Sequence, residues 1–327
     1  MKIYKIGRPV CLAVFFSVLV YSTAWGKEAA AKKIDLSKTL KYVNVWAARD
    51  TFPDSPSFAY MNVYCVLALG HQVDKAARLK ITRYLKKCQK PDGGFVADPD
   101  LKKGTPESPN VIFTYFALAT LDLIHNPSAV DTKKAADYVL SLVQKDGAIR
   151  FNDGGNANLG TTYYGVRCLY LLNALDRIDK KKTIEYINSH RDDKKGFGVL
   201  PGRPSAPQST FMAVESLKLL GGLNEGTKSG VMRYLVQTPY AGFKKAENIA
   251  LIDLDEQADI LETGAILNAV SRFDTDEIHK FIESQYIPEN GGFGPSVGLG
   301  STPPATYYAI ECLVRLGVLR DPYAGGK

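Results

Sequence analysis

Hydrophobic and polar positions follow one another along this chain in two kinds of segment, and both kinds have helical periodicity. One kind is amphipathic, with its charged residues on one side, and the other is apolar nearly all round. An apolar helix has to be buried and an amphipathic helix can cover it, so each neighbouring pair predicts a helical hairpin. The pattern predicts six hairpins, over 37–48 with 58–69, 74–89 with 111–124, 131–144 with 161–175, 180–190 with 208–220, 226–237 with 255–273, and 274–285 with 304–316.

A short phrase recurs between the two helices of a hairpin. It runs through a Gly-rich turn to an aromatic residue, as from Gln89 to Phe95, and a threonine follows near the start of the next apolar segment. A phrase that recurs at a nearly regular spacing of several tens of residues indicates stacked supersecondary units that share one core. The chain is therefore predicted to be all-α, a closed (α/α)6 barrel or α/α toroid. The recurring threonines are Thr114, Thr162, Thr210, Thr263 and Thr306, spaced 48, 48, 53 and 43 residues apart.

The first 26 residues differ in composition from the rest. Lys2, Lys5 and Arg8 precede an apolar run over 10–21, and small residues follow at Ala24 and Gly26. This is the pattern of a secretory signal peptide, and the apolar run is shorter than a membrane span. We therefore predict export to the periplasm or secretion, with no transmembrane segment in the mature chain. The predicted division is a signal peptide at 1–26, a polar lead at 27–36, the toroid at 37–320 and a C-terminal tail at 321–327.

Charge and cysteine usage narrow the classes of partner. The net charge is +7, and the basic residues beyond the first 26 are scattered over the amphipathic segments. Such scattering indicates a solvated surface and no nucleic-acid partner.

Four cysteines occupy apolar or boundary positions of predicted helices without Cys-x-x-Cys spacing, so buried free thiols are expected. They are Cys65, Cys88, Cys168 and Cys312.

The phrase Gln-x3-Gly-Gly-Phe, followed by Thr-Tyr-Tyr-Ala-Ile, resembles the prenyltransferase/squalene-oxidase repeat over roughly residues 38–318. That family includes β subunits of protein prenyltransferases, squalene–hopene cyclases and related terpene cyclases. The resemblance implies an aromatic-lined central cavity that holds an isoprenoid chain. A site is expected where the long loops and the N-termini of the inner helices meet.

The resemblance also implies a catalytic zinc in protein prenyltransferases, held by an Asp-x-Cys pair and a later His. Aligned on the repeat threonine, these positions hold Asp259, Leu261 and Ala305, so two of the three zinc ligands are absent. A catalytic zinc needs about three protein ligands. The family's diphosphate-binding Arg and Lys would fall on the acidic stretch 253–256, which would repel a diphosphate. We therefore predict that both sites are lost and that no cofactor is bound.

The same acidic stretch, Asp253-Leu254-Asp255-Glu256, resembles the Asp-x-Asp-Asp motif of class II terpene cyclases. In those enzymes a carboxylic acid protonates an alkene, which requires a carboxyl group kept protonated by burial and by neighbouring carboxylates. The motif should directly precede the repeat threonine. Aligned on Thr263 the stretch lies too early, so the match is partial.

Asp255, Asp259 and Glu262 are the predicted catalytic residues. Their i, i+4, i+7 spacing puts three carboxylates on one helical face. The cluster is interpreted as a general acid or a divalent-cation site. The competing interpretation is that acids in the first helical turns stabilise the helix dipole beside a solvated loop.

Aromatic residues follow the repeat threonines by one or two positions and so share one level of the predicted barrel. They are the predicted substrate-binding residues, as walls of an apolar pocket. Core packing between inner and outer helices is the competing interpretation. The set is Tyr115, Phe116, Tyr163, Tyr164, Phe211, Tyr307 and Tyr308.

These features predict an exported protein that handles an isoprenoid or another lipid, with an apolar isoprenoid-like ligand. If the protein is an enzyme, it is expected to resemble a terpene cyclase or a prenyltransferase. The alternative is a non-catalytic binding protein, or a scaffold with a protein partner on the loop face, that kept the toroid and lost the zinc and diphosphate sites.

Overall fold

The computed structural model describes residues 33–49, 52–100, 107–237 and 253–324. Apart from isolated bridges, these residues contain helices and loops and no strand. The predicted signal peptide at 1–26 and most of the polar lead lie outside them. The α-helices are α1 Leu36–Ala48, α2 Pro56–Ala68, α3 Lys75–Cys88, α4 Val111–Leu123, α5 Thr132–Ser141, α6 Leu159–Leu171, α7 Lys180–Asn188, α8 Pro207–Leu220, α9 Glu225–Gln237, α10 Leu254–Ile266, α11 Thr275–Gln285 and α12 Pro303–Arg315. Short 3-10 helices lie at Pro127–Ala129, Leu175–Arg177 and Val270–Arg272.

The even-numbered helices form a closed inner ring. Each packs against the next, and α12 packs back against α2. The odd-numbered helices are amphipathic, and α1, α5, α7 and α11 pack against the inner helix of their own hairpin. The inner helices are the segments that the sequence pattern marks as apolar. The four described cysteines are buried and form no disulfide. The predicted six-hairpin α/α toroid is confirmed.

Every outer helix begins at an Asp or Asn whose side chain caps it. Each of these side chains accepts a hydrogen bond from the backbone N–H three residues later, at 2.9–3.2 Å. Such a cap satisfies one of the backbone donors that a helix N-terminus leaves open. The capping residues are Asp35, Asp74, Asp131, Asp179, Asn224 and Asp274.

Every inner helix ends at a residue with left-handed backbone geometry, which favours glycine and tolerates asparagine. The chain then turns back, as where the N–H of Ala269 donates to the carbonyl of Gly264 at 2.8 Å. The predicted ends of two inner helices, at 175 and 273, lie too far along the chain, because an asparagine interrupts an apolar pattern less visibly than a glycine. The six end residues are Gly70, His125, Asn173, Gly221, Asn268 and Gly317, spaced 55, 48, 48, 47 and 49 residues apart.

This regular spacing corrects the repeat register in α10. In the other units with a repeat threonine, that residue is the fourth of the inner helix, as Thr114 is in α4. The fourth residue of α10 is Gln257, and Thr263 is the tenth. The prediction that Thr263 is a repeat threonine was therefore wrong. Thr263 is buried and its hydroxyl donates to the Asp259 carbonyl at 2.7 Å, so it fits an apolar pattern without holding the repeat position.

The repeat threonines attach each loop to its inner helix. In four units the threonine hydroxyl accepts the backbone N–H of the last residue of the recurring phrase, at 3.0–3.1 Å. All four threonines are fully buried, so the bond satisfies a loop donor that water cannot reach. The bonded pairs are Phe95 with Thr114, Ile149 with Thr162, Phe197 with Thr210, and Phe293 with Thr306.

The Gly-rich turn of the last unit closes the outer layer against the first helix. Gly291 has φ +84°, and a Cβ built on it would lie 2.5 Å from the backbone carbonyl of Lys38 in α1. The Lys38 ammonium in turn donates to the Pro288 carbonyl. Only glycine combines this backbone geometry with so close an approach.

Replacing Gly291 with alanine should weaken this closure. We expect Gly291→Ala to lower the free energy of unfolding by about 1–3 kcal/mol more than Gly298→Ala does. Gly298 is the matched control, because its φ is +85° and nothing lies within 4 Å of its built Cβ. Its own cost is backbone strain of about 1–2 kcal/mol. Urea denaturation of both variants measures the difference, and equal losses would contradict the proposed contact.

Candidate functional site

The inner helices present equivalent residues to the centre of the ring. Counted from the first residue of each inner helix, positions 5 and 6 form an aromatic level and position 9 forms a charged level about 4.5 Å further along the helices. Position 5 holds Tyr60, Tyr115, Tyr163, Phe211, Ala258 and Tyr307. Position 6 holds Met61, Phe116, Tyr164, Met212, Asp259 and Tyr308. Position 9 holds Tyr64, Ala119, Arg167, Glu215, Glu262 and Glu311.

The seven predicted aromatic residues form one continuous belt. Tyr60, which the sequence pattern did not reveal, joins Tyr307 and Tyr308 to the rest of the belt, because its ring centroid lies 5.4 Å from that of Phe116 and 6.0 Å from that of Tyr307. On the other side, Tyr163 lies 5.7 Å from Phe211. Tyr60 escaped notice because Ala59 precedes it where other units carry a threonine.

The two positions of the aromatic level differ in exposure. Position 5 is buried in every unit except at Phe211, whereas all six side chains at position 6 keep some solvent-accessible surface. A space that water can enter therefore reaches position 6. Position 5 therefore belongs to the packed core and position 6 lines the interior, and the predicted substrate-binding role of these residues stays a prediction.

Asp259 stands on this aromatic level, at the position that Phe116, Tyr164 and Tyr308 occupy in their own helices. Burial raises the pKa of its carboxyl well above the ordinary range, and the nearby carboxyls of Glu311, Asp255 and Glu262 raise it further. A carboxyl in this setting holds its proton at a pH where an exposed aspartate has lost it.

The other two predicted acids share the face of α10 but differ in their surroundings. Asp255 lies one turn nearer the helix N-terminus, where burial raises its pKa although its carboxylate accepts the Glu256 N–H at 2.9 Å. Glu262 forms an ion pair with Nε of Arg315, whose Nη1 also donates to Asp321 at 2.6 Å. The three acids therefore comprise one strongly perturbed carboxyl, one moderately perturbed carboxyl and one ion-paired carboxyl.

Glu311 is an interior acid that the sequence analysis missed. Its carboxylate accepts the Tyr307 hydroxyl at 2.8 Å. Burial raises the pKa of Glu311 to about 8, and Glu262 contributes in the same direction, while the Tyr307 hydrogen bond and Arg315 oppose the shift.

Arg167 and Glu215 form a second interior ion pair between α6 and α8. The Arg167 guanidinium also donates from Nη2 to the Tyr115 hydroxyl at 2.7 Å and lies 5.1 Å from the centroid of that ring. A hydrogen bond and a cation–π contact to one side chain fix the orientation of the guanidinium.

A signal for these residues exists in the sequence. Arg167, Glu215 and Glu311 each follow a repeat threonine by five residues, in helices that are otherwise apolar. The predicted acids were found from their i, i+4 and i+7 spacing within one helix, whereas these three charged residues stand out only when equivalent positions of different repeats are compared.

One end of the ring is covered by the C-terminal residues. The Tyr323 hydroxyl lies 3.1 Å from the Tyr60 hydroxyl, and its ring packs 6.4 Å from that of Tyr64. At the opposite end, the second residue of every inner helix is at least partly exposed. Among the described residues, solvent therefore reaches the N-termini of the inner helices, where the sequence predicts a site.

The register correction also moves the positions that the resemblance assigns to zinc. They fall on Asp253, Asp255 and Ala305, which supply two carboxylates and no third ligand. Within the described ranges no three His, Cys, Asp or Glu side chains are placed to hold a metal ion. These residues do not fit a catalytic zinc. The diphosphate-binding positions shift to before Asp253, outside the described residues.

The acidic stretch moves into register by the same correction. Because Gln257 holds the threonine position, residues 253–256 directly precede it, as the Asp-x-Asp-Asp motif should. The expectation that the stretch lies too early was wrong, for the same reason that Thr263 was misassigned.

The model of the prenyltransferase α/α toroid domain matches residues 33–245 and 259–324, and the chain belongs to that family. This confirms the resemblance read from the repeat.

Within the described part of the chain, every helix is too short or too polar to cross a membrane.

Solved structures of low sequence identity share the fold. Candida albicans protein geranylgeranyltransferase-I, complexed with GGPP, is 17% identical over 88% of this chain and 93% of its own, with a TM-score of 0.71. A type II terpene cyclase variant from Scytonema, in complex with geranylgeranyl dihydroxybenzoate as substrate, is 11% identical over 86% and 96%, with a TM-score of 0.53. A protein from Actinoplanes is 14% identical over 86% and 100%, with a TM-score of 0.58.

The raised pKa of Glu311 predicts a pH-dependent stability. The folded chain holds this proton up to the raised pKa of about 8, whereas the unfolded chain loses it near the ordinary glutamate pKa of 4.5. The free energy of unfolding therefore falls as pH rises between these values. Glu311→Gln removes the titrating group and keeps an acceptor for the Tyr307 hydroxyl.

The free energy of unfolding of Glu311→Gln is compared with that of the parent protein at each pH. We expect the gain from the substitution to be larger at pH 8 than at pH 5, by on the order of 2 kcal/mol. Urea unfolding at the two pH values measures this difference. Glu277→Gln on the outer helix α11 is the control and should show no such dependence. A Glu311→Gln effect equal at both pH values would contradict a raised pKa.

Proposed function

We propose that this protein binds an isoprenoid-like ligand inside the ring and that Asp259 protonates one of its double bonds, as in a terpene-cyclase reaction. The observation that carries the proposal is the position of Asp259, a carboxyl with a strongly raised pKa on the aromatic level. The in-register acidic stretch at 253–256 supports a terpene-cyclase-like reaction, although Asp259 lies outside it. The isoprenoid ligands named for the geranylgeranyltransferase and the Scytonema cyclase support the binding of an isoprenoid.

The chemistry needs only a proton and an alkene. The π electrons of the double bond take the proton of the Asp259 carboxyl, which forms a C–H bond, a carbocation and a carboxylate. The faces of Phe116, Tyr164 and Tyr308 lie at the same level and can stabilise the cation. Internal attack by a second double bond closes a ring, and loss of a proton from the final cation returns the proton balance to zero.

Binding is tested by narrowing the interior. Tyr164 occupies position 6 and lines the interior. We expect Tyr164→Trp to weaken binding of geranylgeraniol at least about tenfold, because the larger side chain leaves less room for the ligand. Native mass spectrometry of residues 27–327 measures the affinity. Tyr170→Trp is the matched control, since Tyr170 lies on the same helix with an exposed side chain. Unchanged binding by Tyr164→Trp would contradict an interior site.

Catalysis is tested by removing the proton. We expect Asp259→Asn to keep ligand affinity within about threefold and to lower turnover about 10²- to 10⁴-fold, the usual contribution of a general acid. Gas chromatography with mass detection follows cyclised isomers of geranylgeraniol, and a reaction in D2O should place one deuterium in the product. Asp276→Asn, at an exposed position of α11, is the control.

Two results would contradict the catalytic proposal. One is full turnover by Asp259→Asn. The other is tight binding of the ligand without its conversion to any product, which would favour the non-catalytic binding protein.

Export through the predicted signal peptide at 1–26 stays a proposal, and signal-peptide cleavage after Gly26 on expression would test it.

A further inference from the structure

We propose that the ligand carries an uncharged hydroxyl group that Arg167 and Glu215 hold at the charged level, so that the protein takes prenyl alcohols in preference to prenyl diphosphates. This inference rests on the proposed isoprenoid binding and names the substrate class of the same site. It uses two residues to which the proposed protonation assigns no role.

The ion pair between Arg167 and Glu215 has an open donor and an open acceptor. Among the described residues, neither Nε of Arg167 nor Oε2 of Glu215 has a hydrogen-bond partner, and both atoms are buried. Leaving a buried polar atom without a partner costs about 1–3 kcal/mol. An arginine N–H can only donate and an ionised carboxylate can only accept. A hydroxyl group does both, so its chemistry complements the open donor and the open acceptor.

The charge around this pair disfavours a diphosphate. The other described arginine of the interior, Arg315, is already bound to Glu262 and Asp321. The Arg167–Glu215 pair has no surplus positive charge, and the carboxyl of Glu311 stands on the same level. A buried anion is stable only where it is paired. A diphosphate would find no unpaired cation here, whereas an alcohol needs none.

The position of the pair suits the end of a chain-like ligand. The charged level lies about 4.5 Å beyond position 6, further from the entrance at the helix N-termini. Tyr115 orients the Arg167 guanidinium through a hydrogen bond and a ring contact. A hydroxyl bound there would leave the hydrocarbon chain to run past Tyr164 and Phe116 toward the entrance.

The test compares three ligands of one chain length with the full mature chain: geranylgeraniol, geranylgeranyl diphosphate and the C20 hydrocarbon that lacks the hydroxyl. We expect the protein to bind the alcohol at least about tenfold more tightly than either of the others. In Glu215→Gln, binding of the alcohol should weaken about tenfold. Binding of the diphosphate should strengthen, because the variant frees the Arg167 charge. Glu225→Gln, exposed on α9, should change none of the three affinities.

The outcomes separate this inference from the proposed function. Equal binding of alcohol and hydrocarbon, or tightest binding of the diphosphate, overturns the hydroxyl site and leaves isoprenoid binding standing. If Glu215→Gln weakens the binding of all three ligands equally, Glu215 has a structural role, and this result also overturns the hydroxyl site. No binding of any ligand overturns both proposals. The comparison with the unsubstituted protein needs no variant, so it decides even where Glu215→Gln fails to fold.

Discussion

An inner helix that is apolar nearly all round needs cover on every side, and this constraint forces the ring to close. Each inner helix packs against two neighbouring inner helices, and α2, α6, α8 and α12 also pack against the outer helix of their own hairpin, so an open row would leave α2 and α12 exposed. The contact between these two helices removes both exposed faces at once. The turn at Gly291 closes the outer layer at the same seam, against the backbone of Lys38. Closure thus stabilises the whole set of hairpins, because no single hairpin can bury its own apolar helix.

Closure also determines what stands in the middle. The repeat fixes the height of each inner helix, since buried threonines such as Thr114 and Thr306 tie the helices to their loops at the same position. Equivalent residues therefore meet at one level, and a change in one unit faces five others. Asp259 illustrates the result, since it is a lone carboxyl in a level of aromatic and thioether side chains. Its surroundings, more than the residue itself, set its proton affinity.

The fold could be predicted from the sequence because apolar and amphipathic helices alternate six times, so every unit repeats the evidence. The register of α10 could not be predicted in the same way. There Gln257 replaces the threonine, and the nearby Thr263 imitated it. The aromatic residues could be predicted from their spacing after the threonines. Glu311 and Arg167 were missed because a single charge in an apolar helix has meaning only beside its equivalents in other repeats, and that comparison depends on the right register.

The raised pKa of Asp259 and the proposed preference for an uncharged ligand have one electrostatic origin. Inside the ring, the described inner helices bring five carboxyl groups together with two arginines. They are Asp255, Asp259, Glu215, Glu262 and Glu311, with Arg167 and Arg315. Both arginines are paired, so the remaining carboxyls can lower the charge of the interior only by keeping protons. An anionic ligand would oppose that balance, whereas a neutral ligand leaves it intact. An interior that keeps protons on its unpaired carboxyls is therefore suited to giving a proton to an apolar molecule and unsuited to binding a diphosphate.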